Sequence, residues 1–146
     1  NAGHKVHTTI QHYEARPATA QEADTLKITE GTLVVHIERT RFADNEPIAV
    51  LTNLIPADIA PTMQELESAS LYDLMRERGV TLASARQIIG ARSATTKEAK
   101  LLSEHRGAAL LTSQRTTYDP SGRIVECGNH IYRASRYSFE ASLFAQ

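Results

Sequence analysis

The sequence predicts an α+β fold: an antiparallel sheet of about six strands with helices packed on it, built as two similar halves. Its 146 residues, 41% of them hydrophobic, suffice for one compact domain that buries roughly 70% of the surface its unfolded chain exposes. The chain also repeats itself at an offset of 76 residues. Ala15-Arg16 meets Ala91-Arg92, Ala18-Thr19 meets Ala94-Thr95, Glu22-Ala23 meets Glu98-Ala99, Leu26 meets Leu102, Gly31 meets Gly107, Arg39-Thr40 meets Arg115-Thr116, and Ile48 meets Ile124. Two copies are too few for a solenoid and are expected to pack side by side. Within each copy, extended runs rich in β-formers surround one short helical segment.

The elements follow in order. The first strand of each copy runs roughly from His4 to Ala15 and from Leu82 to Arg92. Thr19-x-x-Glu22 and Thr95-x-x-Glu98 are capping boxes, in which the hydroxyl accepts from an early helix N–H and the carboxylate reaches back to the cap. Ala23 and Leu26, like Ala99 and Leu102, supply the apolar stripe of a short helix, and Gly31 and Gly107 follow at the distance where a helix exit or turn wants a residue free to take positive φ. Extended runs Leu33 to Phe42 and Ala109 to Tyr118 follow, then turns at Ala43-Asp44-Asn45-Glu46 and Asp119-Pro120-Ser121-Gly122, then a second extended run. Between the halves lie Pro56, Pro61 and a helix from Leu71 to Arg78, whose Leu71, Leu74 and Met75 share a face.

Composition narrows the function. Sixteen Lys+Arg against 17 Asp+Glu leave a formal net charge of -1, so no overall field draws the chain to a polyanion and a free-standing nucleic-acid binder is not expected. No apolar run approaches the roughly 18 residues of a membrane helix, and no charged-then-apolar leader opens the chain. The one cysteine, Cys127, excludes an internal disulfide and a Cys-rich zinc site and fits a reducing cytoplasm. Asn1-Ala2 reads as an expression scar, with residues 3–146 forming the domain. The six histidines lack ligand spacing, and no Ser/His/Asp arrangement or Gly-rich phosphate loop is present, so neither a metal nor a cofactor is expected.

Three places depart from a plain core. Alternate residues of a strand share a face, so Leu33, Val35 and Ile37 are continued on one row by Arg39 and Arg41. Two guanidiniums on the inward side are costly to desolvate and need an anion, protein carboxylates or a water-filled recess; alternatively the strand projects past the core, or a bulge turns the row. Arg115 repeats the pattern singly after Ala109, Leu111 and Ser113. Secondly, Ser70 sits at a helix N-cap with Asp73 three residues on, and there it can cap the helix and touch an anion together, with Tyr72 beside it. Thirdly, Ile124, Glu126, Gly128, His130 and Tyr132 alternate onto one face. Glu126 and Tyr132 offer groups to orient a polar ligand and Gly128 leaves room for it, although a solvated outer face would look the same.

These residues resemble a known family. Arg39-Thr-Arg41-Phe42-Ala-Asp-Asn-Glu-Pro47-Ile48, Leu54-Ile55-Pro56, Ser70-Leu-Tyr72-Asp, Leu110-Leu111 with Arg115-Thr-Thr-Tyr118-Asp119, and Tyr132-Arg133 with Arg136-Tyr137-x-Phe139 look like the UTRA domain. That is the effector-binding domain of the HutC subfamily of GntR-type bacterial transcription regulators. The resemblance spans Gly3 to about Leu143 and implies a chorismate lyase-like fold. It also implies a homodimer, with an N-terminal winged-helix domain, absent from this chain, that contacts operator DNA. Carried over residue by residue, Arg39 and Arg41 match the arginines gripping the effector's anionic group, Ser70 the serine beside it, and Tyr72, Glu126 and Tyr132 the rest of the pocket. Two positions depart: Leu51 stands where amino-sugar-phosphate sensors carry an acid, and Ser135 where the family has Asp.

The expected function is therefore a non-catalytic, cytoplasmic sensor of a small anionic effector, a sugar phosphate or small carboxylate, whose binding alters operator affinity. Two alternatives stand beside it. One is a chorismate lyase-like enzyme in which Glu126 is the acid; the other is a dimerisation module without a ligand.

Overall fold

A computed structural model of the chain describes residues 5–143. Six strands, β1 (Val6–Pro17), β2 (Leu33–Ala43), β3 (Glu46–Pro56), β4 (Ser84–Ser93), β5 (Ala109–Tyr118) and β6 (Ile124–Arg133), form one antiparallel sheet in the order β1-β2-β3-β6-β5-β4. The helices are α1 (Ala20–Leu26), α2 (Met63–Leu66), α3 (Leu71–Glu77) and α4 (Thr96–Leu101), with a 3-10 turn, Ala57–Ile59, ahead of α2. The α+β class and the two strand-helix-strand-strand halves are as the sequence predicts, and the halves meet along β3 and β6. Residue 4, expected to open the first strand, and the expected scar at 1–2 lie outside the described residues.

The repeat is visible in its chemistry. Thr19 and Thr95 each accept at 3.2 Å from the N–H of Glu22 or Glu98, whose carboxylates accept at 3.0 Å from the cap N–H. The same carboxylates bind the arginine that ends the preceding strand, Arg16 or Arg92, at 2.6 Å. Arg92, more than any other neighbour, pulls Glu98 down to about 2. Each helix is thus tied to its own strand by one capping acid. Gly31 and Gly107 take φ of 89° and 84° in the turns that lead into β2 and β5, whereas the helix exits themselves are made by Lys27 and Ser103 at φ of 56° and 54°. The same signature, Thr62 with Glu65, starts α2, an element the sequence analysis passed over although its cap is legible.

The 76-residue offset holds only as far as the hairpins. Asp44 and Asn45 both take positive φ in a two-residue turn between the paired Ala43 and Glu46, as the right-handed strand twist favours. The second hairpin spends three residues, Pro120 to Gly122, before Arg123, whose carbonyl accepts from Asp119 N at 2.9 Å. Beyond the turn the equivalent of Ile48 is therefore Val125 and not Ile124. Both are bulge residues: Arg41 and Phe42 pair with Ala49 and Pro47, and Thr117 and Tyr118 with Glu126 and Ile124. The bulge corrects a second expectation, because it turns Ile124 away from the Glu126 row and into the core under α1, while Val125 packs toward α3. Leu33, expected to open the inward row of β2, is 52% exposed at the strand's end.

The two sheet faces are dressed differently. On one face α1 packs Ala23 and Leu26 against Val34, Leu54 and Cys127, and α4 packs Ala99 against Val50, Leu102 and Leu110. On the other, α3 lays Leu71, Leu74 and Met75 over Val35, Ile37, Ile55 and Val125. This segment has no counterpart in the second half, whose matching face carries Tyr132 with Tyr137 and Phe139 from the C-terminal segment, ring centroids 4.4 and 5.7 Å away. The result is a sheet covered on both faces beside β2 and β3, which is where burial is deepest.

Leu26 and Leu102 are repeat mates, 1% and 0% exposed. Truncating either to Ala removes transfer energy and leaves a cavity, so each variant should lose about 2–5 kcal/mol in urea unfolding, with similar values for the pair. A loss under about 1 kcal/mol at one site only would break their equivalence.

Candidate functional site

The site begins where the apolar row of β2 runs out. Val35 and Ile37 lie under α3, and the next residues of that row, Arg39 and Arg41, open into a cavity of about 250 Å³. The bulge at Ile48 comes past Arg41, so the row keeps its face and the inward reading of the sequence holds. Leu51 and Asn53 of β3, His130 and Tyr132 of β6, Ser113 and Arg115 of β5 and Gln87 of β4 complete the sheet side of the wall. Ser70 and Tyr72 close it from the start of α3. The lining holds three guanidiniums and no carboxylate, and among the described residues none of the three is in an ion pair.

One carboxylate lies just below. Glu126 is 0% exposed and accepts from three neutral donors: Asn53 Nδ2 at 2.6 Å on Oε2, and Thr117 Oγ1 at 3.0 Å and Tyr72 OH at 3.1 Å on Oε1. Burial pushes its carboxyl above the usual range, and the three hydrogen bonds oppose that rise. Burial first, then the neighbouring Glu126, pushes Tyr72 up to about 12, so the phenol keeps its proton and donates. Asn53 spends its carbonyl on Arg39, whose Nη2 donates to Oδ1 at 3.0 Å. The acid is therefore linked to Arg39 through an amide.

The arginines are left under-satisfied. Burial, then the charge of Arg41, presses Arg39 below the usual guanidinium value. Arg115 places its Cζ 5.1 Å from the centroid of the Tyr72 ring, a cation–π contact. The Nε atoms of Arg39 and Arg115 and Nε2 of His130 are buried without a hydrogen-bond partner, and such groups cost free energy until something completes them. Ser70 caps α3, its Oγ accepting from Asp73 N at 3.3 Å, which leaves its hydroxyl proton to turn toward the cavity.

Five of the six residues singled out from the sequence, Arg39, Arg41, Ser70, Tyr72 and Tyr132, line this one cavity; the sixth, Glu126, supports it from beneath. Gly128 corrects the sequence reading, which kept its space for a ligand. A Cβ there would meet Glu126 Oε2 at 2.9 Å and His130 Nε2 at 3.0 Å, so the room is already taken by the protein's own buried polar groups. Asn53, Thr117, Gln87 and Ser113 were passed over. A lone Asn amid the apolar run Ile48 to Pro56 is a legible signal, and Thr117 is the repeat mate of Arg41. Ser135, at the family's Asp position, donates to Glu104 Oε2 at 2.9 Å, and the same carboxylate oxygen accepts from Arg133 Nε at 3.0 Å.

Comparison with known proteins identifies the family and the fold. The UTRA domain family model matches residues 1–138. The transcriptional repressor NagR of Bacillus subtilis is 31% identical over 129 residues, covering 87% of this chain and 53% of NagR. The repressor PhnF of Mycolicibacterium smegmatis is 28% identical over 132 residues, 88% of this chain and 54% of PhnF. The chain thus spans about half the length of these relatives. The crystal structure of the effector domain of PhnF from Mycobacterium smegmatis superposes with a TM-score of 0.88 at 25% identity, covering 98% of this chain and 90% of that one. A Streptomyces coelicolor protein described as a transcriptional regulator gives 0.88 at 46% identity over 99% of both chains.

Burial first, then the charges of Arg39, Arg41 and Arg115, hold His130 down to about 4. The unfolded chain takes up that proton near pH 6.5 and the folded one near 4, so His130 stabilises the fold above pH 6.5 and this contribution is lost as pH falls from 6.5 toward 4. NMR titration of the ring should find a midpoint near 4; a midpoint near 6.5 would mean that the ring is not held among the arginines.

Proposed function

The chain belongs to the UTRA domain family, and from that membership and the charge of its cavity we propose that it is the effector-binding domain of a transcriptional regulator that senses a small anionic metabolite, a sugar phosphate or small carboxylate. The observation that carries this reading is the lining itself: Arg39, Arg41 and Arg115 face one cavity with no carboxylate among its walls. Arg39 and Arg41 supply paired forks to the anion, Ser70 and Tyr72 flank it, and Tyr132 bounds the far side. Glu126 acts indirectly, by fixing Asn53 and Tyr72.

In the whole protein this domain follows a DNA-binding domain and works as a cytoplasmic homodimer on operator DNA, and the anion shifts the balance of dimer geometries. No helix among the described residues is long and apolar enough to cross a membrane. The lyase-type alternative asks Glu126 to protonate a substrate. Its carboxylate has no exposed surface and already accepts from three donors, which favours the sensor reading.

Calorimetric titration with hexose 6-phosphates and small carboxylates tests the proposal. Charge-assisted hydrogen bonds are worth about 1.5–3 kcal/mol each, so Arg39→Ala and Arg41→Ala should each weaken the best ligand at least about tenfold. Unchanged binding in both variants would overturn the assignment. Because the arginine charges help depress His130, a bound anion should also raise its midpoint, and a midpoint that stays put on saturation would place the anion elsewhere.

A further inference from the structure

We propose that the occupant carries two separate acidic groups joined by an uncharged spacer, one group held by Arg39 and Arg41 and the other by Arg115; this rests on the anion-sensing reading above and narrows its ligand class. The internal repeat supplies the first reason. Arg115 stands in the second half where Arg39 stands in the first, at the same step of the equivalent strand, and both side chains enter the one cavity because only the first half carries the α3 segment that roofs it.

The second reason is distance. Arg39 is opposite Leu51, Leu51 opposite His130, and Arg115 opposite Gly128, two residues from His130 on the same strand. Three strand spacings and that offset place the Cα atoms of Arg39 and Arg115 about 15 Å apart. Arg41 is the cation that presses on Arg39, and Arg115 is not among the charges that do so, although all three arginines act on His130. The cavity therefore has two cationic poles.

The third reason is that, among the described residues, no arginine of either pole is in an ion pair, and hydrogen-bonding groups stand ready beside each. Glu126 acts on Arg39 electrostatically but is hydrogen-bonded to it only by way of Asn53. Arg115 rests on the Tyr72 ring with Nε unpartnered, and beside it Gln87 donates to Ser113 Oγ at 3.3 Å. Between the poles lie Leu51, His130 and Tyr132, an uncharged stretch that suits an uncharged spacer. A dicarboxylate, or a phosphate or phosphonate bearing a carboxylate, has this chemistry. A compact monoester phosphate carries equal charge at one end only and leaves Arg115 unanswered.

Calorimetry on the chain at low ionic strength separates the cases with matched probes: 3-phosphonopropionate against propylphosphonate, and glutarate against butyrate. The two-headed member of each pair should bind at least about tenfold more tightly. In Arg115→Gln that ratio should fall toward one, and Arg115→Lys, which keeps the charge, should retain part of it. Taking the ratio within one variant guards against a general loss of fold, which weakens both members alike. Equal affinities in the parent, or a ratio unchanged by Arg115→Gln, would overturn the two-headed ligand while leaving a one-headed anion sensor standing if Arg39→Gln still abolishes binding. Failure of every probe to bind, or binding indifferent to Arg39→Gln, would overturn both readings together.

Discussion

Glu126 has to be kept stable without exposed surface, and the way this is done sets the character of the cavity above it. A buried carboxylate is ordinarily paired with a cation or protonated. Here amide, hydroxyl and phenol donors from β3, β5 and α3 converge on it. Had an arginine taken their place, the cavity would have spent a guanidinium on internal neutralisation. The neutral donors also tie the sheet's two halves and the overlying helix to one point, so Tyr72 is held at the angle where Arg115 can lie on its ring. Gly128 belongs to the same constraint, since any side chain there would collide with Glu126 or His130.

The repeat explains both the sheet and its asymmetry. Two strand-helix-strand-strand units pair along β3 and β6, with α1 and α4 tied in by equivalent capping acids. The connection between the units contributes α2 and α3, and α3 covers the first unit's free face and the adjoining Val125 of β6. A nearly symmetric sheet thereby acquires one roofed recess. Repeat mates have diverged around it: Arg41 answers to Thr117, one lining the cavity and the other holding Glu126. Arg39 and Arg115 have both stayed cationic.

Much of the site was legible because strand periodicity is local. Arg39 and Arg41 on the row of Val35 and Ile37 are visible from alternation alone, and Ser70 from its cap. Local periodicity fails where one inserted residue changes parity: alternation puts Ile124 on the Glu126 face and the 76-residue offset pairs it with Ile48, whereas the second hairpin is one residue longer and a bulge follows it. The space beside Gly128 is hidden from the sequence for another reason. Which side chain fills the space beside a glycine depends on the neighbouring strand's register, and Asn53 comes near only through the β3–β6 pairing.

By itself the sequence determined what nearest-neighbour physics controls: the caps at Thr19, Ser70 and Thr95, the turns, the strand rows, the doubling of the unit and the placement of two arginines on an inward row. Tertiary structure alone decided which of those rows face one another, that Glu126 sits beneath the lining, and that Arg115 comes to the far end of the cavity that Arg39 enters. The physical reason is that caps and turns are settled within a few residues of chain. The desolvation of a carboxylate and the separation of two charges depend on strands that meet only after the sheet has closed its central pair.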